Sequence, residues 1–260
     1  LMVVFVVCVG TTMGLHTLQV KRLAVSLLDQ KRRAERTGDD KLAARYLSQY
    51  LGYNTNDIER HAELAELLQK TAENPRAKYR ALLYMEKVIR MDPGRTSIRR
   101  SLVDLLMQFG RYNDALVHLE TLRSQFADEG ELEYKTGLCH QALQKYQKAS
   151  ISYRSAIVHD SAQLEAYQNL AGILRDQFQQ ADEADKLIDR MVTSNSHLSG
   201  AFAGRARYLF GLKKYEEAAA DVATAHKISP KDLDVIALAL QLIEKQISLP
   251  GLDSKEISSQ

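Results

Sequence analysis

The chain has 260 residues, 45% of them hydrophobic, which is enough to bury a substantial core. Its 35 Lys and Arg against 33 Asp and Glu leave a formal charge of +2, so it lacks the whole-molecule field that nucleic-acid binding exploits. Four prolines, no tryptophan and two cysteines, Cys8 and Cys139, suit a helix-rich chain and exclude a disulfide framework or a cysteine-built metal site.

The chain opens on Leu1, which points to residues missing upstream, and carries no charge before Lys21. That apolar run predicts a transmembrane helix over 1–20, with His16, Thr17 and Gln19 at the interface. A cleaved signal peptide is the alternative, although the small-residue pattern around 10–16 is poor for cleavage. The anchor reading places the protein in a membrane as a single-pass chain, with the side of the rest unassigned. Residues 21–36 then set six basic side chains against Asp29 and Glu35. They read as a solvated helix face beside the membrane or as a contact for anionic lipid headgroups.

Leu23, Leu27 and Ala34 share one face of a helix that Thr37-Gly38-Asp39-Asp40 ends, and Lys41–Leu51 forms a second helix with Ala43, Ala44, Leu47 and Leu51 inward. From Asp57 to Met91 a second pair follows, its turn carrying Pro75 at a helix start and its end marked by Asp92-Pro93-Gly94. The third pair has Ile98, Leu102, Val103, Leu105 and Leu106 on one helix, then Ala115, Leu116, Leu119 and Leu122 on the next. The fourth runs from Leu132 to Ile157, the fifth from Tyr167 to Met191 and the sixth from Phe202 to Ile228. A last amphipathic helix, Leu233–Ile247, either closes the array or opens a further repeat.

The pairs share one motif. Gly110-Arg111-Tyr112-Asn113-Asp114-Ala115 recurs as Gln144-Lys145-Tyr146-Gln147-Lys148-Ala149 and as Lys213-Lys214-Tyr215-Glu216-Glu217-Ala218. Ala81, Ala115, Ala149, Ala184 and Ala218 recur at steps of 34 or 35, and such a fixed period marks a stacked array in which each unit contacts its neighbours. The alanines let backbones approach, and the tyrosines wedge a flat ring beneath the next helix. The fifth turn, around Phe178-Gln179-Gln180-Ala181, is one residue longer and lacks the tyrosine.

The 34-residue period, the small residue midway along the first helix, the x-Tyr turn with Ala after it, and the endings Asp92-Pro93 and Ser229-Pro230 resemble the tetratricopeptide repeat. The resemblance covers 37–247 and is firmest over 57–230; the first-helix Trp is absent throughout. It implies an all-α, right-handed α-α superhelix, here expected behind an N-terminal transmembrane helix, as in membrane-anchored bacterial repeat proteins. The expected organisation is an anchor over 1–20, a basic linker helix and degenerate first pair over 21–56, the array with its closing helix over 57–247, and a polar tail over 248–260.

No catalytic constellation accompanies this pattern. No two of the seven histidines stand at metal-ligand spacing with a carboxylate between them, and Cys139 and His140 point about 100° apart on a helix. There is no phosphate loop and no nucleophile elbow, so no enzyme activity, cofactor or metal is expected. In the family the first helices line a concave groove that holds extended peptides or helices. By register that groove would present Arg100 and Asp104, Tyr134 and Lys135, Gln168, Asn169 and Arg175, and Arg207; a plain solvated face is the competing reading for each. The expected function is a membrane-tethered scaffold that binds a protein segment, with no nucleic acid and no small-molecule substrate. The alternative is the anchor and spacer of a larger enzyme whose catalytic part lies elsewhere.

Overall fold

The computed structural model describes the backbone of residues 2–245 and the side chains of residues 19–245. The described residues form helices, joined in antiparallel pairs. They are α1 (Met2–Arg36), α2 (Asp40–Tyr53), α3 (Ile58–Lys70), α4 (Pro75–Met91), α5 (Thr96–Gln108), α6 (Tyr112–Arg123), α7 (Gly130–Ala142), α8 (Tyr146–His159), α9 (Leu164–Gly172), α10 (Ala181–Ser194), α11 (Ser199–Gly211), α12 (Tyr215–Ile228) and α13 (Leu233–Glu244). A single π-helical turn, Ile173–Gln177, extends α9. The chain divides into two compact units, Leu1–His118 and Leu119–Gln260.

Within the first unit α1 packs on α2, α3 on α4, and each pair on the next through α2–α3 and α4–α5. The core of the first two pairs gathers Ala34, Ala43, Ala44, Leu47, Leu51, Leu64 and Leu67. The starts of α2, α3 and α4 carry side-chain caps. Asp39 Oδ1 accepts from the Leu42 amide at 2.9 Å, and Asn74 Oδ1 accepts from the Ala77 amide at 2.9 Å just ahead of Pro75.

In the second unit α7 packs on α8, α9 on α10 and α11 on α12, while α9–α11 and α11–α13 contacts set the first helices in a row. Its core includes two clusters, one around Tyr153, Tyr167, Leu170 and Ile188, the other around Ala206, Val222, Val235 and Leu242.

The periodic motif has a backbone explanation. Gly38, Gly110, Gln144, Gln179 and Lys213 all adopt positive φ, between 56° and 75°. Each ends a first helix in the left-handed conformation, which glycine adopts most easily. The next amide then reaches back five residues to close the turn: Asp39 to Ala34 O, Arg111 to Leu106 O, Lys145 to His140 O and Lys214 to Leu209 O, at 2.8–3.0 Å. The fifth pair differs. There the Gln180 amide reaches back six residues to Leu174 O at 2.8 Å, and the Phe178 amide bonds Ile173 O at 3.1 Å. The extra residue is therefore accommodated as the π turn.

One expectation is corrected. No helix among the described residues is long and apolar enough to cross a membrane. The expected anchor, the single-pass membrane placement and the membrane as a partner are set aside on that finding; most of the apolar run at 1–18 lies outside the residues whose side chains are described, as does the alternative of a cleaved leader. Where its side chains are described, α1 is built as a solenoid helix. Ala24, Leu27, Lys31 and Ala34 are buried. Lys31, at 5% exposure, pairs with Glu35 at 2.8 Å and with Glu63 of α3. A cation enclosed by two carboxylates inside the first unit is unavailable to a lipid headgroup. The polar tail expected over 248–260 also lies outside the described residues.

Candidate functional site

The second unit carries a polar cleft of about 470 Å³ between the end of α7 and the α9–π-turn segment. Carboxamides dominate its lining: Gln141, Gln144, Gln168, Asn169 and Gln177, with Asp176 beside them. Each carboxamide offers both a donor and an acceptor, the same pairing that a peptide bond presents. Gln144 enters through its left-handed turn, and Asp176 and Gln177 enter because the π turn brings them round.

The amides are held from behind. The Tyr153 hydroxyl donates to Gln141 Oε1 at 2.6 Å, and Gln141 keeps its amino group as a donor. The Tyr134 ring lies 6.0 Å from that of Tyr153. Burial raises the phenol pKa of both tyrosines, and hydrogen bonding to Asn169 opposes the rise. The hydroxyls therefore stay protonated as donors. Gln168 rests on Gly204 of α11, where a Cβ would come 2.5 Å from Gln168 Nε2. Gly172, at the cleft wall, has nothing within 4 Å of a built Cβ.

Of the groove residues expected from the register, Gln168 and Asn169 line this cleft and Tyr134 stands behind it. Lys135, half-buried on α7, pairs with Glu131 at 2.8 Å. Arg175 is engaged internally: its guanidinium donates to the Tyr208 hydroxyl at 2.8 Å and to Asp185, and lies 5.3 Å from the Tyr208 ring centroid. Arg207 is exposed on α11. Arg100 and Asp104 are half-buried on α5 in the first unit, and both have interaction partners. Gln141, Gln144, Asp176 and Gln177 were not expected from the sequence. The extra residue of the fifth turn was the signal that could have located the last two.

Among the described residues no group of three or more His, Cys, Asp and Glu side chains could hold a metal ion. The Cys139 thiol is buried, and desolvation pushes its pKa up to about 11, so it stays protonated and unreactive.

A family model described as tetratricopeptide repeat matches residues 80–136. No curated protein sequence matches the chain. Among solved structures, MamA 41-end from Desulfovibrio magneticus RS-1 aligns at 19% identity over 66% of this chain and 94% of its own, with a TM-score of 0.55. A second MamA crystal structure aligns at 17% identity over 68% and 93%, with a TM-score of 0.58. Yeast Tom70 aligns at 17% identity over 81% of this chain and 45% of its own, with a TM-score of 0.61. At these identities the likeness shows the fold: an all-α solenoid of paired helices of the tetratricopeptide type. Residues 80–136 are thus tetratricopeptide-like in sequence, and the described residues carry the same paired-helix architecture on either side of them.

Proposed function

We propose that this protein is an interaction scaffold whose second unit holds an extended protein segment in the amide-lined cleft. The observation that carries the reading is the convergence of five carboxamides on one cleft. Gln144, Gln168 and Gln177 take no side-chain hydrogen bond within the protein, among the described residues. Gln144 and Gln177 are exposed and Gln168 is half-buried, so their amides bond water, and a bound peptide backbone would exchange that water for its own N–H and C=O groups. Arg207, Tyr134 and Lys135 belong to the same proposal, as flanking contacts on the first helices. Arg100 and Asp104 are proposed for the first unit by the same register. In the second unit Arg175 acts as a positioning residue, tying the π turn after α9 to Asp185 and Tyr208.

The test uses Gly172. It has helical backbone and open space at its Cβ, so the side chain of Gly172→Leu starts into the cleft without a clash at the Cβ. The full chain is applied to an array of 12-residue peptides, and the strongest binders are resynthesised with single backbone N-methyl groups. Gly172→Leu and N-methylation at the central peptide bonds should each weaken binding about tenfold or more, the loss of one or two hydrogen bonds. Binding that is indifferent to both would refute the cleft as the site. A second reading, the array as a non-catalytic spacer in a larger protein, fits the same fold; under it Gly172→Leu would alter no binding.

A further inference from the structure

A second cleft lies in the first unit, between α2 and α4, with α3 as its floor. Its volume is about 490 Å³. Leu64 and Leu68 of α3 form the apolar floor, Arg45 and Ser48 of α2 one wall, and Arg80 and Tyr84 of α4 the other. Because α2 and α4 are the second helices of their pairs, this cleft opens on the opposite side of the pairs from the first-helix groove.

The charge of the walls is one-sided. The charged residues lining the cleft are Lys41, Arg45 and Arg80 against Glu73, and α4 as a whole carries Arg76, Lys78, Arg80, Lys87 and Arg90 against the single acid Glu86. Glu86 is already engaged with Arg111 at 2.9 Å, and Lys41 at the cleft rim is neutralised by Glu73 at 2.7 Å. Arg45 and Arg80 are exposed, and neither has an ion-pair partner among the described residues. The same place in the second unit is built differently. There Glu183, the residue before Ala184, receives Arg154 of α8 at 2.6 Å. The residue before Ala81 is Arg80, and counting from the equivalent turn residues Gln144 and Gly38 the position matching Arg154 is Ser48, so the cross-helix pair is absent and Arg80 stands without one.

We propose that the α2–α4 cleft is a second docking site, and that its occupant is an acidic amphipathic segment of a partner protein. Carboxylates of the segment meet the Arg45 and Arg80 guanidinium groups, whose planar forks suit bidentate pairing, and its apolar side chains cover the half-buried Leu68. Tyr84 keeps the wall rigid. Its hydroxyl donates to His61 Nδ1, while His61 Nε2 donates to the Thr55 carbonyl at 2.9 Å.

The full chain is titrated into a fluorescein-labelled 14-residue peptide with Leu at helical i, i+4, i+7 spacing and Glu elsewhere, and into the same peptide with every Glu replaced by Gln. Anisotropy should show the Glu peptide binding about tenfold tighter, two exposed ion pairs at up to about 1 kcal/mol each. Arg45→Glu with Arg80→Glu should remove that advantage, Arg45→Gln with Arg80→Gln should reduce it, and Gly172→Leu should leave it unchanged. Equal affinity for the two peptides, or indifference to the charge reversal, overturns the proposal. Loss of binding on Gly172→Leu moves the peptide to the other cleft and also overturns it. Self-association in sedimentation that the reversal abolishes would assign the cleft to a second copy of this chain instead.

Discussion

The fourth and fifth helix pairs share a scaffold and differ at two places, one in the core and one in the turn. In the core, the small residue midway along the first helix is Gly137 in the fourth pair and Ala171 in the fifth. The residue four beyond the recurring alanine is Tyr153 in the fourth pair and Ile188 in the fifth. All but Gly137 are packed in one cluster, and a Cβ on Gly137 would lie 2.5 Å from the Tyr153 ring. The sixth pair continues the series with Ala206 and Val222 in their own cluster. Volume at one position is thus traded against volume at the other, as close packing requires. The turn differs in the opposite sense: the fifth pair adds a residue, forms the π turn and thereby supplies one wall of the amide cleft.

The largest expected effect attacks the core difference. Gly137→Ala should destabilise the protein by about 1–3 kcal/mol, because the fully buried Tyr153 ring has nowhere to go. Adding Tyr153→Ile, which makes the fourth pair resemble the fifth, should restore part of that loss in urea unfolding. If the double variant is no more stable than Gly137→Ala alone, the trade of volumes is wrong.

Next in size is the turn. Deleting Gln177 should convert the six-residue closure at Gln180 into the five-residue closure of the fourth pair. Helical circular dichroism should be retained, while affinity for the N-methyl-sensitive peptides falls about tenfold, close to 1.4 kcal/mol. A smaller effect probes what the two turns share. Gln144→Gly and Gln179→Gly should each raise stability by about 1 kcal/mol, since both residues hold φ near +57° at a cost that glycine does not bear.

The smallest expected effect is on pH dependence. His140 lies in α7, whereas the fifth pair contains no histidine. Burial first, then Lys148, Lys145 and Arg123, holds the His140 pKa below its ordinary 6.5. Below about pH 6.5 the unfolded chain therefore takes up a proton that the folded chain refuses. Stability is full above that pH and declines as pH falls through it toward the folded value. His140→Gln should narrow the drop in melting temperature between pH 7.5 and 5.5; an unchanged drop would count against the assignment.

Much of the fold is legible in the sequence because a repeat array writes its packing into a period. The alanines from Ala81 to Ala218 mark the second helices, and all five are fully buried. The turn at Gly110 announces its left-handed backbone through glycine, but Gln144, Gln179 and Lys213 adopt the same conformation behind side chains that give no such signal. The cleft residues were only partly legible. Gln168 and Asn169 follow from register, whereas Asp176 and Gln177 depend on how one extra residue is accommodated, and length alone does not fix whether it loops out or winds in. The unpaired arginines at 45 and 80 could not be read as such, because pairing is a property of what lies across from a side chain. The apolar opening run pointed to a membrane by hydropathy alone. Hydropathy cannot see that Lys31, within the same helix α1, is enclosed by Glu35 and Glu63.

The π turn has a consequence for how such a chain can change over time. A one-residue insertion in a straight helix rotates everything after it by about 100° and would put the following core residues on the wrong face. Here the disturbance begins at Ile173 and is spent by Gln180, and the step from Gln179 to Lys213 is again 34 residues. A length error introduced in one repeat is thus corrected before the next repeat begins. Neighbouring repeats are insulated from it, and the altered turn is left as a place where a new surface chemistry can be tried without refolding the array.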